Sequence, residues 1–206
     1  MPRTGLTPTE IRQKAITVAE ANIRTYGFEK FRLVDIAKQL GIAHTSLYNH
    51  FPDKAALLDA VSEKWVTMVD AELAAIAARK PISTETYLTL LTELFTTLHR
   101  RKREKVSTDP ELYKAFDSAA EEHKAFIATH LHNVHAAIST LVENAVRHEE
   151  LTGSPEAIRA LLIEATRGFT HPKLVAEMLA ADRIPILQQL LHAIFTGLAT
   201  KPQPSR

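Results

Sequence analysis

The chain has 206 residues, a formal net charge of +1, an apolar content of 45% and no cysteine. That length and apolar share allow a real core in one large or two modest domains and exclude a disordered chain. The near-zero charge excludes a globally basic, non-specific nucleic-acid binder, and the missing thiols exclude disulfides, thiol catalysis and cysteine metal sites, as fits a reducing cytosol.

With abundant Ala and Leu, only 6 glycines and no convincing polar/apolar alternation, the composition predicts an all-α fold. The opening MPRTGLTPTE has no apolar core and does not read as a signal peptide. No run reaches the length needed to span a bilayer.

The first helix begins near Thr9, turns Ile16, Ala19 and Ile23 inward, and ends at Tyr26-Gly27-Phe28. The stretch from Phe31 to Leu58 then reads as two short helices and the start of a third. Leu33, Ile36, Ala37 and Leu40 recur at helical spacing, and Gly41 follows where a helix end needs positive φ. A second short helix runs from about His44 to His50, with Leu47 and Phe51 four apart on its inner face. Pro52 ends it and Asp53 caps the next helix. This is the pattern of a helix-turn-helix, whose second helix enters the DNA major groove. Thr45, Ser46, Tyr48, Asn49 and His50 lie on its outer side, each able to reach a phosphate oxygen or a base edge. Lys54 adds a charge at a helix N-terminus, where amides favour an anion. Residues 1–58 hold eight basic and five acidic side chains, so a local excess of +3 sits where DNA affinity requires it.

The helix opening at Asp53 extends to about Ala78, with a stripe of Leu58, Val61, Trp65, Val69, Leu73 and Ile76. Trp65 and Met68 read first as core packing. Pro81 and Ser83 restart a helix through Leu91, Leu94, Phe95 and Leu98, ending in a basic run from His99 to Lys105. Positive side chains suit a helix C-terminus, so this run reads as structural rather than as a second DNA site. Asp109-Pro110-Glu111 is a helix start, followed by Leu112, Tyr113 and Phe116. A long helix from about Ala119 to Glu150 follows, burying Ile127, Leu131, Val134, Ile138, Leu141 and Ala145. It carries His123, His130, His132, His135 and His148. Without HExxH or a nearby carboxylate at ligand spacing, these histidines are not read as a metal site, and no cofactor is expected. His130 reads as a hydrogen-bonded flank residue or as a polar contact for a ligand.

Gly153-Ser154-Pro155-Glu156 ends one helix and caps the next, which shows Ile158, Leu161, Leu162, Ala165 and Phe169. Thr170-His171-Pro172 breaks it, and a last helix from about Pro185 carries Ile186, Leu187, Leu190, Leu191, Ile194, Phe195 and Leu198. Those wide apolar faces imply a second surface to bury, and a symmetric partner is the expected one. Ile158, Leu161, Leu162, Ala165, Leu187, Leu191, Ile194 and Phe195 are the candidate dimer residues. Both helices sitting deep in their own core is the alternative.

The helix-turn-helix segment resembles the DNA-binding domain of the TetR family of bacterial transcription regulators. The likeness rests on Gly27-Phe28, Asp35-Ile36-Ala37, Gly41-Ile42, Leu47-Tyr48-Asn49-His50-Phe51, Lys54 and Leu57-Leu58, and it covers about Glu10 to Leu58. The resemblance implies that Tyr48, His50 and Lys54 hold phosphates while His44, Thr45, Ser46 and Asn49 face the groove. Where the family commonly has a capping Thr before the second helix, this chain has Phe31-Arg32. Arg32 cannot accept an amide hydrogen bond and is offered as a phosphate contact instead. From Pro81 onward the likeness is architectural and rests on the Asp109-Pro110-Glu111-Leu112 start and the Thr170-His171-Pro172-Lys173-Leu174 break.

The expected organisation is a helix-turn-helix DNA-binding domain over residues 1–58, a larger helical effector-binding and dimerisation domain over 59–200, and a disordered tail over 201–206. The expected function is that of a homodimeric, cytoplasmic, non-enzymatic regulator. It acts as a repressor released from an inverted-repeat DNA operator by a small effector, with no membrane partner. The effector is expected to be apolar or aromatic, because charge is scarce on the buried faces, and its candidate contacts are Trp65, Phe95, Tyr113, Phe116, Phe126, His130 and Met178. A regulator without an effector, and a helical enzyme with an incidental helix-turn-helix, are the alternatives.

Overall fold

The computed structural model describes residues 5–199; the tail expected at 201–206 lies outside them. Among the described residues the chain is a succession of α-helices: α1 (Pro8–Tyr26), α2 (Leu33–Gln39), α3 (His44–Tyr48), α4 (Lys54–Ala77), α5 (Tyr87–Thr108), α6 (Pro110–Glu121), α7 (Ala125–Arg147), α8 (Pro155–Ala165), α9 (Arg167–Thr170), α10 (Pro172–Glu177) and α11 (Ile184–Leu198). The all-α expectation holds, since among the described residues the one β-contact is an isolated bridge between Leu151 and Ala199. No described helix is long and apolar enough to cross a membrane.

Packing divides the chain into two compact units. One holds the residues up to Thr67 together with Ser107–Ala128; the other holds Met68–Val106 together with the residues from Thr129 on. The first unit has an apolar core of α1, α2, α3 and early α4, in which Ala19, Ile23, Ile36, Leu47, Phe51 and Leu57 are fully enclosed. Leu112 of α6 joins that core. Nothing in the local sequence marks α6 as belonging there. Its attachment is polar as well as apolar. Arg24 at the end of α1 grips the Asp109 carboxylate through Nε and Nη2, and Glu111 Oε2 accepts from the Phe28 amide at 2.9 Å. Gly27, at φ +90°, lets the chain turn there, and a Cβ would meet Glu111 Oε2 at 3.2 Å.

Several expectations require correction. The long helix expected from Ala119 to Glu150 is shorter: α6 runs to Glu121, α7 starts at Ala125 and ends at Arg147, and His123 lies between α6 and α7 at φ +54°. A left-handed histidine carries no glycine or proline signal, so the break is silent in the sequence. His123 and His148 therefore lie off α7. Ser83 does not restart a helix but adopts φ +59°; α5 begins at Tyr87, where Thr86 and Thr89 cap each other and Glu150 accepts from the Tyr87 and Leu88 amides at 3.0 and 3.1 Å. Asp109 makes no side-chain cap on α6, because Arg24 takes its carboxylate. Within α4 the inward residue is Leu57 rather than Leu58, and Met68 is 58% exposed rather than packed. Leu131 is 49% exposed, and Val142 takes an interior place on α7 instead.

Candidate nucleic-acid interface and effector region

α1 sets the frame for the helix-turn-helix. Thr7 and Glu10 form a capping box on its first turn: the Thr7 hydroxyl oxygen accepts from the Glu10 amide, and the Glu10 carboxylate accepts from the Thr7 amide. That T-x-x-E signal is readable in the sequence and places the start one residue earlier than the apolar pattern alone. α2 has no side-chain cap, and Arg32 instead pairs with Asp35 at 2.9 Å. Gly41, at φ +65°, ends the turn, and the Ile42 amide donates to the Ala37 carbonyl at 3.1 Å. α3 is only His44–Tyr48. Such a short helix has little stability of its own, so Leu47 and Phe51, both fully buried, hold it against the core. Asp53 caps α4 as expected, its Oδ1 accepting from the Ala56 amide at 2.7 Å.

The residues read as DNA contacts fall on the outer side of this frame. His44, Thr45 and Asn49 are exposed, Ser46 and His50 half-buried, and Tyr48 is 40% exposed. The His44 and Tyr48 rings meet edge to face at 4.5 Å, a contact that steadies two side chains of α3. Arg32 is exposed beside Asp35. Lys54 is half-buried. Its ammonium donates to the Glu29 carbonyl and lies 4.7 Å from the Phe31 ring centroid. Sequence reasoning missed Arg12, which donates to the His50 carbonyl at 3.2 Å and lies over the Phe51 ring at 4.6 Å. It clamps the exit of α3 from a position 38 residues upstream, and no local pattern announces such a contact.

The candidate effector contacts divide between the two units. In the first, Trp65 stacks edge to face on Phe116 at 4.8 Å and on Tyr113 at 6.2 Å, while Phe126 is half-buried. Burial pushes the Tyr113 hydroxyl pKa up, with the Asp117 charge adding to it. In the second, Phe95 and His130 are buried and Met178 is 42% exposed. His130 on α7 shares the Asp70 carboxylate of α4 with Asn133: Nδ1 meets one oxygen, and the Asn133 amide donates to the other at 2.9 Å.

Charge on the buried faces is less scarce than composition implied. Lys102 is 5% exposed on α5 and its ammonium donates to the Thr170 carbonyl. Burial lowers its pKa to about 8, partly offset by Asp70. His99, one turn away and 1% exposed, meets the Phe169 carbonyl through Nδ1 at 2.8 Å, and burial holds its pKa below the usual range. Two members of the basic run on α5 are held by partners within the chain. Arg101 grips Glu72 and Glu104, and Arg103 donates to the Leu179 and Ala181 carbonyls after α10. Among the described residues no group of three or more His, Cys, Asp or Glu is placed to hold a metal ion.

Of the candidate dimer residues, Ile158, Leu162, Leu187, Leu191 and Phe195 are buried within this single chain. They face their own core, as the alternative reading had it, and are not available to a partner. Leu161 is 45% exposed, with Ala165 and Ile194 half-exposed.

Comparison with known proteins fits this geometry. Residues 15–61 match the family model for bacterial regulatory proteins of the tetR family, and residues 89–189 match that for the tetracyclin repressor-like C-terminal domain. The chain is therefore a member of the TetR family of transcription regulators, with a DNA-binding helix-turn-helix followed by a helical C-terminal domain. No curated protein matches it. Solved structures share the fold at low identity. A protein of unknown function from Rhodococcus sp. RHA1 has TM-score 0.67 at 18% identity, over 92% of this chain and 95% of that one. A TetR/AcrR-family regulator from Thermobifida fusca has 0.64 at 19%, over 90% and 97%. The Thermus thermophilus repressor FadR, solved with lauroyl-CoA, has 0.63 at 16%, over 95% and 98%.

Proposed function

We propose that the protein is a cytoplasmic, homodimeric, non-enzymatic repressor that binds an inverted-repeat operator and leaves it when a small, largely apolar effector binds. The observation that carries this is α3. With the residues that follow it, α3 turns Leu47 and Phe51 fully inward and leaves His44, Thr45, Tyr48 and Asn49 outward, within a chain of the TetR family. In this reading residues 1–58 bind DNA and 59–200 bind effector and partner. His44, Thr45, Ser46 and Asn49 face the groove; Tyr48, His50, Arg32 and Lys54 hold phosphates. A short recognition helix makes few base contacts, so affinity depends on two copies at a set spacing.

The effector contacts proposed are Trp65, Phe95, Tyr113, Phe116, Phe126, His130 and Met178, with His130 supplying a polar group. Ligand acts by binding better to a conformation whose two reading heads are wrongly spaced. α4 is the natural lever, because it begins at the exit of α3 and carries Asp70, the partner of His130. The dimer face proposed is the outer side of α8 and α11, where Leu161, Ala165, Ile186, Leu190 and Ile194 keep exposed apolar surface over the buried row beneath.

Fluorescence anisotropy against duplex from the protein's own upstream region tests the reading. Wild type should prefer it to scrambled duplex, and Asn49→Ala should erase most of that preference. Equal affinity of both proteins for both duplexes would overturn it.

A further inference from the structure

The first unit holds a feature that the proposed function does not use. A cleft of about 1070 Å³, open to solvent, runs between the last turns of α1 and α2. Asn22, Thr25 and Tyr26 line it from α1, Lys30, Phe31 and Arg32 from the connecting loop, and Asp35, Lys38 and Gln39 from α2. Of the proposed DNA contacts only Arg32 is among them.

Its chemistry is lopsided. Arg32 and Asp35 neutralise each other, but Lys30 and Lys38 are exposed, and among the described residues neither side chain makes an ion pair or hydrogen bond. Two cations thus face the cleft unbalanced. Asn22 is 5% exposed, and its Oδ1 accepts from Gln39 Nε2 at 3.1 Å. Its Nδ2 is buried with no acceptor. Buried amide donors are normally paired, so this atom invites an acceptor. Gln39, whose amide meets the neighbouring Oδ1, is an exposed and rotatable side chain. The Tyr26 ring is 58% exposed and offers a flat apolar face.

We propose that this cleft binds a small organic anion carrying a planar ring. Its carboxylate or phosphate lies between Lys30 and Lys38, its ring stacks on Tyr26, and a ring-borne acceptor takes the Asn22 Nδ2–H when Gln39 swings aside. The volume lies just above the usual range for small-molecule sites. A DNA phosphate would satisfy the lysines but brings nothing that enters as far as Asn22, so a free small molecule fits the set better.

Proton–nitrogen correlation spectra of the full ¹⁵N-labelled protein test this, with AMP and salicylate as probes. Inorganic phosphate and adenosine serve as controls, the first lacking the ring and the second the charge. At least one probe should move the Asn22 side-chain amide and the Tyr26 backbone amide saturably. The Lys30→Ala/Lys38→Ala double variant, which touches only exposed side chains, should weaken that probe by roughly tenfold. Its spectrum away from the cleft should match wild type. The proposal fails if neither probe moves those signals at concentrations on the order of 10 mM. It fails equally if inorganic phosphate binds as well as the probe (an adventitious ion only), or if the double variant binds the probe as tightly as wild type.

Discussion

The core beneath α2 and α3 is made of Ile23, Phe31, Ile36, Leu47, Phe51 and their neighbours, with no ionisable side chain buried in it. The second unit, by contrast, buries His99, Lys102 and His130 among its leucines. A DNA-reading head needs a rigid support and keeps its charged groups outside, where the phosphates are; its buried polar side chains, Asn22 and Ser62, are neutral. The second unit keeps titratable groups inside, where burial disfavours the charged forms of His99 and Lys102. The difference shows which core ties its stability to pH.

The contrast can be broken first at its rigid side. Phe51→Ala removes a fully buried ring that seats α3 and supports Arg12, and should destabilise the first unit by about 3–5 kcal/mol. Urea unfolding measures the loss, and a cost below about 1 kcal/mol would mean that α3 is not held as described.

At the other side the sign reverses. Lys102 has its pKa lowered from an ordinary 10.5 to about 8, so the unfolded chain binds the proton more readily. Folding is therefore penalised below pH 10.5, and fully so below about 8, by on the order of 3 kcal/mol. Lys102→Met should stabilise the protein at pH 7 by less than that penalty, because the Thr170 carbonyl loses its donor. Denaturation at pH 7 and pH 10 should show that gain shrinking as pH rises. A gain that did not depend on pH would assign the effect to packing instead.

Smaller effects sharpen the comparison. Tyr48→Ala should lower operator affinity about tenfold while leaving the unfolding midpoint within error, because Tyr48 lies outside the core. Parallel anisotropy and urea titrations check both halves. His99 contributes through acid sensitivity. Its pKa is held down by burial, so stability is lost as pH falls below the ordinary histidine value of 6.5. His99→Gln should flatten the stability profile between pH 7 and 5. The least effect belongs to Arg24 and Asp109, a half-exposed pair joining α1 to the start of α6. A double-mutant cycle should return a coupling below about 1 kcal/mol.

The two regions also differ in how far their sequence could be read. Leu33, Ile36, Ala37, Gly41, Leu47, Phe51 and Asp53 each act within a few residues of themselves, through helical spacing, positive φ or a cap, so their placement was legible. Arg12 on His50, Arg24 on Asp109 and Glu111 on Phe28 join positions 38 to 85 apart, and no local pattern encodes them. The break at His123 was invisible because a histidine, not a glycine, takes the left-handed conformation. The buried row on α8 and α11 misled for another reason: a wide apolar stripe does not say which half faces its own core. Lys102 was hidden inside a basic run whose other members, Arg101 and Arg103, do serve as surface partners.

In the proposed function the outer face of α3, presented twice by a dimer, reads a DNA sequence. Selection from a pool of random duplexes with purified wild-type protein, run beside Asn49→Ala, tests it most directly. Wild type should enrich an inverted repeat whose half-sites lie about one helical turn apart or a multiple of it, and the variant should relax preference at matching positions of both half-sites. Failure to enrich any sequence, or enrichment of one unchanged by Asn49→Ala, would contradict it.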